Sequence, residues 1–207
     1  MTKRSNHITA NKPVDLWRYQ ASPLTTQTQR FWLERPGALT AGLRELGQLS
    51  LEVLRQKILL PSADEREALM HGFSNEPVWA REICMSIDGQ ACVVARTVTP
   101  VEASRSSWQR VRRLGGRPLA DLLYDDPHVS RTPFETTSLP SRHPLAQIAL
   151  ACRAGSKPER LHTETHFWAR RSTFTRHALP LLVAECFLPT FWLMIDSRPR
   201  KTAIIAP

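Results

Sequence analysis

Two apolar runs, Val78 to Ile87 and Gln90 to Val98, flank the dipeptide Asp88-Gly89. Asp-Gly between two strand-like runs is the strongest short-range signal of a two-residue hairpin. A second pair, Thr165 to Thr175 and Leu181 to Leu188, is joined around His177 and Pro180. Leu49, Leu51 and Val53 alternate as a further strand, although a helix also accommodates them. Helical patterns fall between these runs. Thr40 is placed to cap a helix reaching Leu46, and Pro100 opens one that runs to Leu114 and stops at Gly115-Gly116. Pro118 to Tyr124 reads as one helical turn and Leu145 to Cys152 as a short apolar helix. Residues 126–142, rich in Pro, Ser and Thr, read as loop, and Ser156 to Arg160 as a polar turn. The pattern predicts a single α+β domain, an antiparallel β-sheet with interspersed helices. A polar arm (1–28) precedes the domain (29–190), and a peripheral apolar-basic tail (191–207) follows it, a solvated segment rather than a lipid-binding one.

Strand alternation singles out three charges. Arg81 shares its face with Trp79, Ile83, Met85 and Ile87. Arg96 shares one with Cys92, Val94 and Val98, and Glu185 one with Leu181, Val183 and Phe187. A charge on an apolar face needs a partner. Two readings stand side by side. In one, Glu185 forms a buried salt bridge with Arg81 or Arg96, a weak stabiliser once desolvation is counted. In the other, these groups line an apolar pocket, an arginine meeting an anion and a carboxyl meeting a hydroxyl or a proton.

Composition narrows the function classes. The 207 residues are 42% hydrophobic and 23% charged, which excludes wholesale disorder and allows a core large enough to hold a pocket. The longest apolar stretch, Leu179 to Ile195, is broken by Pro180, Glu185, Pro189 and Thr190, so no membrane span is predicted. The first residues lack an apolar core, and no secretory signal is predicted. Lys and Arg number 28 against 19 Asp and Glu, a net +9 that favours anionic partners. The basic groups are scattered, and no aromatic-basic run or recognition helix joins them, so nucleic acid is not the expected partner. Cys84, Cys92, Cys152 and Cys186 lack CxxC spacing and sit among apolar residues, reading as reduced buried thiols of a cytoplasmic protein. His162, Glu164 and His166 carry metal-ligating groups but not a recognised spacing, and a solvated turn is the preferred reading. Ser172 and Cys186 lack the base and orienting acid that a nucleophile requires.

Four blocks together resemble the chorismate lyase family. They are Trp79-Ala-Arg-Glu-Ile83 with Ala95-Arg-Thr-Val-Thr-Pro100, then Leu114-Gly-Gly-Arg-Pro-Leu119, Phe167-Trp-Ala-Arg-Arg-Ser172, and Pro180 to Pro189; Gly37-Ala-Leu-Thr40 is a weaker fifth. The resemblance implies a monomeric, cofactor-independent, metal-free enzyme converting chorismate to 4-hydroxybenzoate and pyruvate, the entry step to ubiquinone. Carried over by position, Arg81 holds the ring carboxylate with backbone N–H groups of Leu39 and Leu119. Glu185 faces the ring hydroxyl, and Arg96 is a candidate for a second anionic group. A carboxyl among apolar neighbours disfavours its charged form, which suits Glu185 to hydrogen bonding with a hydroxyl. The second reading is a non-catalytic ligand-sensing domain of the same general fold, as found on bacterial winged-helix repressors. A sensor has no need of an Arg–Glu pair matched to the two ends of a product.

Overall fold

The computed structural model describes residues 16–69, 76–154 and 166–198. Among the described residues seven antiparallel strands form one sheet: β1 (Leu49–Leu59), β2 (Val78–Ile87), β3 (Gln90–Pro100), β4 (Val129–Arg131), β5 (Glu135–Pro140), β6 (His166–Arg176) and β7 (Leu179–Phe187). The order is β1-β2-β3-β7-β6-β4, with β5 also on β6. The helices are α1 (Gln27–Glu34), α2 (Leu39–Arg44), α3 (Ala63–Ala68), α4 (Val101–Arg105), α5 (Gln109–Arg112), α6 (Ala120–Leu123), α7 (Pro144–Ala154) and α8 (Pro189–Asp196). This is the α+β class that the patterning predicts.

Both hairpins turn through residues with positive φ. Asp88 and Gly89 lie at 50° and 80°, and His177 and Ala178 at 50° and 60°. Consecutive positive φ values match the right-handed twist of the strands they join. The second turn therefore sits at His177-Ala178, and Pro180 lies within β7, where its carbonyl accepts from the Thr99 hydroxyl at 2.6 Å.

The first hairpin carries a bulge. Ser86 faces Ala91 but Met85 faces Val93, so Cys92 is an extra residue in β3. One inserted residue reverses the facing of everything beyond it. An unbroken ladder from Asp88-Gly89 would set Arg81 beside Arg96. With the bulge, Arg81 pairs with Thr97, and Arg96 pairs with Glu82 on the opposite face.

Each face of the sheet has its own cover. On the back, α7 packs Leu145, Ala146 and Ala149 onto Cys84, Val94, Phe167 and Cys186. On the front, Leu33, Leu39 and Leu43 of α1 and α2, together with Phe191 of α8, cover Ile83, Met85 and Val93. Farther along the front, Ala103, Val111 and Leu123 of α4 to α6 pack on Trp79, Phe174 and Leu181. These two front clusters stand apart, and the sheet between them is the floor of a cavity.

Several local expectations change. The helix expected from Pro100 to Leu114 is two short helices, because Pro100 is still paired in β3 and the chain breaks at Ser106 to Trp108. Residues 126–142 contain β4 and β5, whose pairing to β6 no local pattern announces. The first 28 residues include packed chain: Trp17 is buried, Arg18 bridges Thr136, and Thr26 begins α1 with a reciprocal cap from Gln29. Beyond residue 190 the chain continues α8, which buries Phe191. Ser156 to Arg160, His162 and Glu164 lie outside the described residues.

Cys84 and Cys152 are joined by a disulfide between β2 and α7, which replaces the expectation of four reduced thiols. The two residues are 68 apart in sequence, and only the packing of α7 on the back face brings them together. Cys92 and Cys186 remain free and buried. Burial pushes the Cys92 thiol up to about 12 and raises that of Cys186 as well.

Candidate functional site

The cavity is a partly open hollow on the front of the sheet, about 590 Å³ when the open solvent at its mouth is counted with it. Its floor is two rows of the sheet. One runs Arg81, Thr97, Val183, Ser172, and the next Ile83, Ala95, Glu185, Arg170. Its walls are Gly37 to Thr40 on one side and Leu119 to Tyr124 on the other, with Phe134 and Phe174. Four of the five candidate site residues, Leu39, Arg81, Leu119 and Glu185, thus meet in one place.

Arg81 is 1% exposed and has no carboxylate partner among the described residues. Its Nη2 donates to the carbonyls of Gly115 at 2.6 Å and Arg117 at 3.4 Å. The Gly-Gly-Arg-Pro block therefore serves as an anchor that aims the guanidinium. Its Nε is buried without a hydrogen-bond partner among the described residues. Burial lowers the Arg81 pKa from its usual value, the signature of a cation still lacking an anion. Thr40 supplies a second orphan. The sequence pattern makes it a helix cap, but α2 begins after Ala38, and the Thr40 hydroxyl is buried at the cavity with no partner among the described residues. Unpaired buried polar atoms are costly, so two of them lining one cavity mark a place where a ligand completes the hydrogen bonding.

Glu185 lies two strands away from Arg81, roughly 10 Å across the sheet at ordinary strand spacing. It is not isolated among apolar groups as alternation suggested. Arg170, its neighbour on β6, donates from Nε to Oε2 at 2.6 Å. Arg170 is itself 1% exposed and is held by the carbonyls of Trp32 at 3.2 Å and Arg35 at 2.9 Å. Glu185 therefore forms a salt bridge with a buried arginine, but that arginine is neither Arg81 nor Arg96. Sequence reasoning missed Arg170. A two-residue turn at His177-Ala178 with no bulge places it opposite Glu185, so locating that turn would have revealed it.

Arg96 does not reach the cavity. Its Nε donates to Glu65 Oε1 at 2.5 Å, its Nη1 to Glu82, and Glu82 in turn accepts from Arg55 at 2.8 Å. These contacts lie on the back face, where the Cys92 bulge has turned it. Ser172 lines the cavity, but its hydroxyl donates to Thr132 O at 2.7 Å and has no base beside it. Among the described residues no group of three His, Cys, Asp or Glu side chains is arranged to hold a metal. Tyr124 completes the rim. Burial raises its phenol pKa, with Arg131 and Arg170 opposing and Glu185 reinforcing that shift.

Comparison with known proteins gives a consistent result. Residues 13–196 match the family model described as chorismate lyase. A protein of Bordetella avium (strain 197N) named "probable chorismate pyruvate-lyase" is 49% identical over 176 residues, covering 85% of this chain and 84% of its own. One of Pseudomonas entomophila (strain L48), "probable chorismate pyruvate-lyase 1", is 38% identical over 192 residues, 92% of this chain and 99% of its own. Among solved structures, the effector domain of PhnF from Mycobacterium smegmatis aligns with a TM-score of 0.48 at 15% identity, over 74% of this chain and 90% of that one. A GntR-family transcriptional regulator from Bacillus cereus aligns with a TM-score of 0.49 at 8% identity, over 76% and 99%.

Proposed function

The chain belongs to the chorismate lyase family and is a pyruvate-releasing lyase, and on that premise we propose that the front cavity converts chorismate to 4-hydroxybenzoate and pyruvate. The observation that supports this most is the cavity's polarity. A buried arginine with a free Nε and an unpaired hydroxyl line the same cavity, a carboxylate stands two strands away from the arginine, and the walls are largely apolar. A ring with a carboxylate at one end and a hydroxyl at the other fits that order. In this reading Arg81 and Thr40 take the ring carboxylate, with the backbone N–H groups of Leu39 and Leu119 converging on it. Glu185, held by Arg170, accepts from the ring hydroxyl.

The chemistry asks little else of the protein. The hydrogen on the hydroxyl-bearing carbon leaves and the adjacent carbon–oxygen bond to the enolpyruvyl group breaks. The electron pair completes the aromatic ring, and the hydrogen ends on the enolpyruvyl methylene, giving pyruvate. No net oxidation occurs, so the balanced reaction consumes no cofactor. Aromatisation supplies the driving force, while the site contributes orientation and fixed donors. Action as a monomer, which the family resemblance implies, belongs to the same proposal. Among the described residues no helix is long and apolar enough to cross a membrane. We place the enzyme in the cytoplasm, because a substrate with two carboxylates does not cross a bilayer unaided. The product's use in ubiquinone synthesis belongs to the same proposal.

The test is to mix purified, EDTA-treated protein with chorismate and quantify both products. Equimolar 4-hydroxybenzoate and pyruvate, lost in Arg81→Ala and in Glu185→Gln, is the expected result. Binding without product above the spontaneous background would point instead to a ligand-sensing domain.

A further inference from the structure

Chorismate carries two carboxylates, and the groups so far described meet only one of them. The enolpyruvyl ether is attached next to the hydroxyl-bearing carbon. Its carboxylate therefore belongs at the Glu185 end of the cavity, away from Arg81. At that end the free cationic capacity is limited. Arg170 Nε is engaged by Glu185 and its Nη1 by two carbonyls. Arg96, the sequence candidate, lies on the opposite face of the sheet.

Arg131 is differently placed. It is the last residue of β4, in register with Phe174, whose side chain lines the cavity. Its guanidinium carbon lies 4.1 Å from the centroid of Phe134, another lining residue, and that of Arg170 lies 4.2 Å from the same ring. Tyr124, also at the rim, feels the charges of Arg131, Arg170 and Glu185 together. Arg131 Nη1 is buried with no hydrogen-bond partner among the described residues, the third such side-chain atom beside Arg81 Nε and Thr40 Oγ1. Stacking on Phe134 fixes the plane of the guanidinium and leaves its edge free for an anion.

We propose that Arg131 binds the second carboxylate of the substrate, the one on the enolpyruvyl ether. It thereby selects an ether-bearing dianion over the product monoanion. This rests on the reaction proposed above and deepens it. Holding the ether side chain by its carboxylate would orient the departing group, and release of pyruvate would empty that position while Arg81 still holds the ring.

The experiment compares two stable ligands by calorimetry: 4-hydroxybenzoate, with one carboxylate, and 3-(carboxymethoxy)-4-hydroxybenzoate, which adds an ether carboxylate beside the hydroxyl. Arg131→Gln should weaken the diacid roughly 10- to 100-fold, the range of one charge-assisted hydrogen bond. It should leave 4-hydroxybenzoate within about threefold, and Arg131→Lys should recover part of the diacid affinity. Arg81→Ala should weaken both ligands. Equal weakening of both ligands by Arg131→Gln, or no change in either, overturns the assignment. These measurements need no turnover, so failure of the wild-type protein to release pyruvate would refute the reaction separately.

Discussion

Replacing Arg96 by methionine separates a structural arginine from a substrate-binding one. Arg96 is 6% exposed and joins two carboxylates that are themselves buried, Glu65 at 8% and Glu82 at 3%. Its Nε and Nη2 bond Glu65 at 2.5 Å and 3.3 Å, and its Nη1 bonds Glu82. Removing one member of a buried pair costs about 3–5 kcal/mol, because the other charge is left without compensation. Here Glu82 keeps Arg55, which is half exposed, and Glu65 keeps the Ser62 N–H at 2.9 Å. The lower end, about 3 kcal/mol, is the appropriate expectation. For a domain of this size that is a fall in Tm of roughly 6–12 °C. Replacing Glu65 by leucine in the same chain should restore part of the loss, since apolar substitution of a whole buried pair is often neutral. The assay is thermal unfolding of both variants together with KM for chorismate, measured well below either Tm. The expected KM is that of the wild type. A raised KM with an unchanged Tm would refute the back-face assignment and return Arg96 to the site.

Three other outcomes follow from the same geometry. Burial raises the Asp64 pKa, but hydrogen bonds from His143, Ser62 and Trp17 outweigh it and leave the group well below the usual carboxylate range. A depressed native pKa contributes stability that is present above the unfolded value of about 3.9 and lost as pH falls below it. Urea unfolding of Asp64→Asn should therefore show less loss of stability between about pH 5 and pH 2 than the wild type, and parallel curves would dismiss the effect. Thiol titration in denaturant should find two free groups before reduction, Cys92 and Cys186, and four afterwards. In the native oxidised protein neither should react readily at pH 8, since both thiols are buried with raised pKa values. Arg170→Met should lower kcat at least tenfold by freeing Glu185 from its only described cation, in keeping with loss of a charge-assisted bond. Unchanged turnover in that variant would show that the Glu185 geometry is not set by Arg170.

The sequence by itself determined what local chemistry controls. Asp88-Gly89 announces its turn, strand alternation puts Arg81 and Glu185 on apolar faces, and the motif blocks identify the family. Those signals act over a few residues, because a strand repeats every second position and a turn is chosen by the φ angles its residues accept. Tertiary structure decided which side of the sheet each face meets. A single extra residue at Cys92 carries Arg96 away from Arg81, and alternation along either strand alone contains no trace of it. The partner of Glu185 depends on β6 pairing with β7 from the His177-Ala178 turn, which lacks glycine and so leaves little local mark. β4 and β5 are strands only because β6 offers them an edge, which sets Arg131 against Phe134, a residue of the cavity wall. The Cys84–Cys152 bond likewise waits on α7 docking against the back face. Register and docking are set by contacts between segments far apart in the chain, and the orphaned polar atoms that mark the site exist only once those contacts have excluded water.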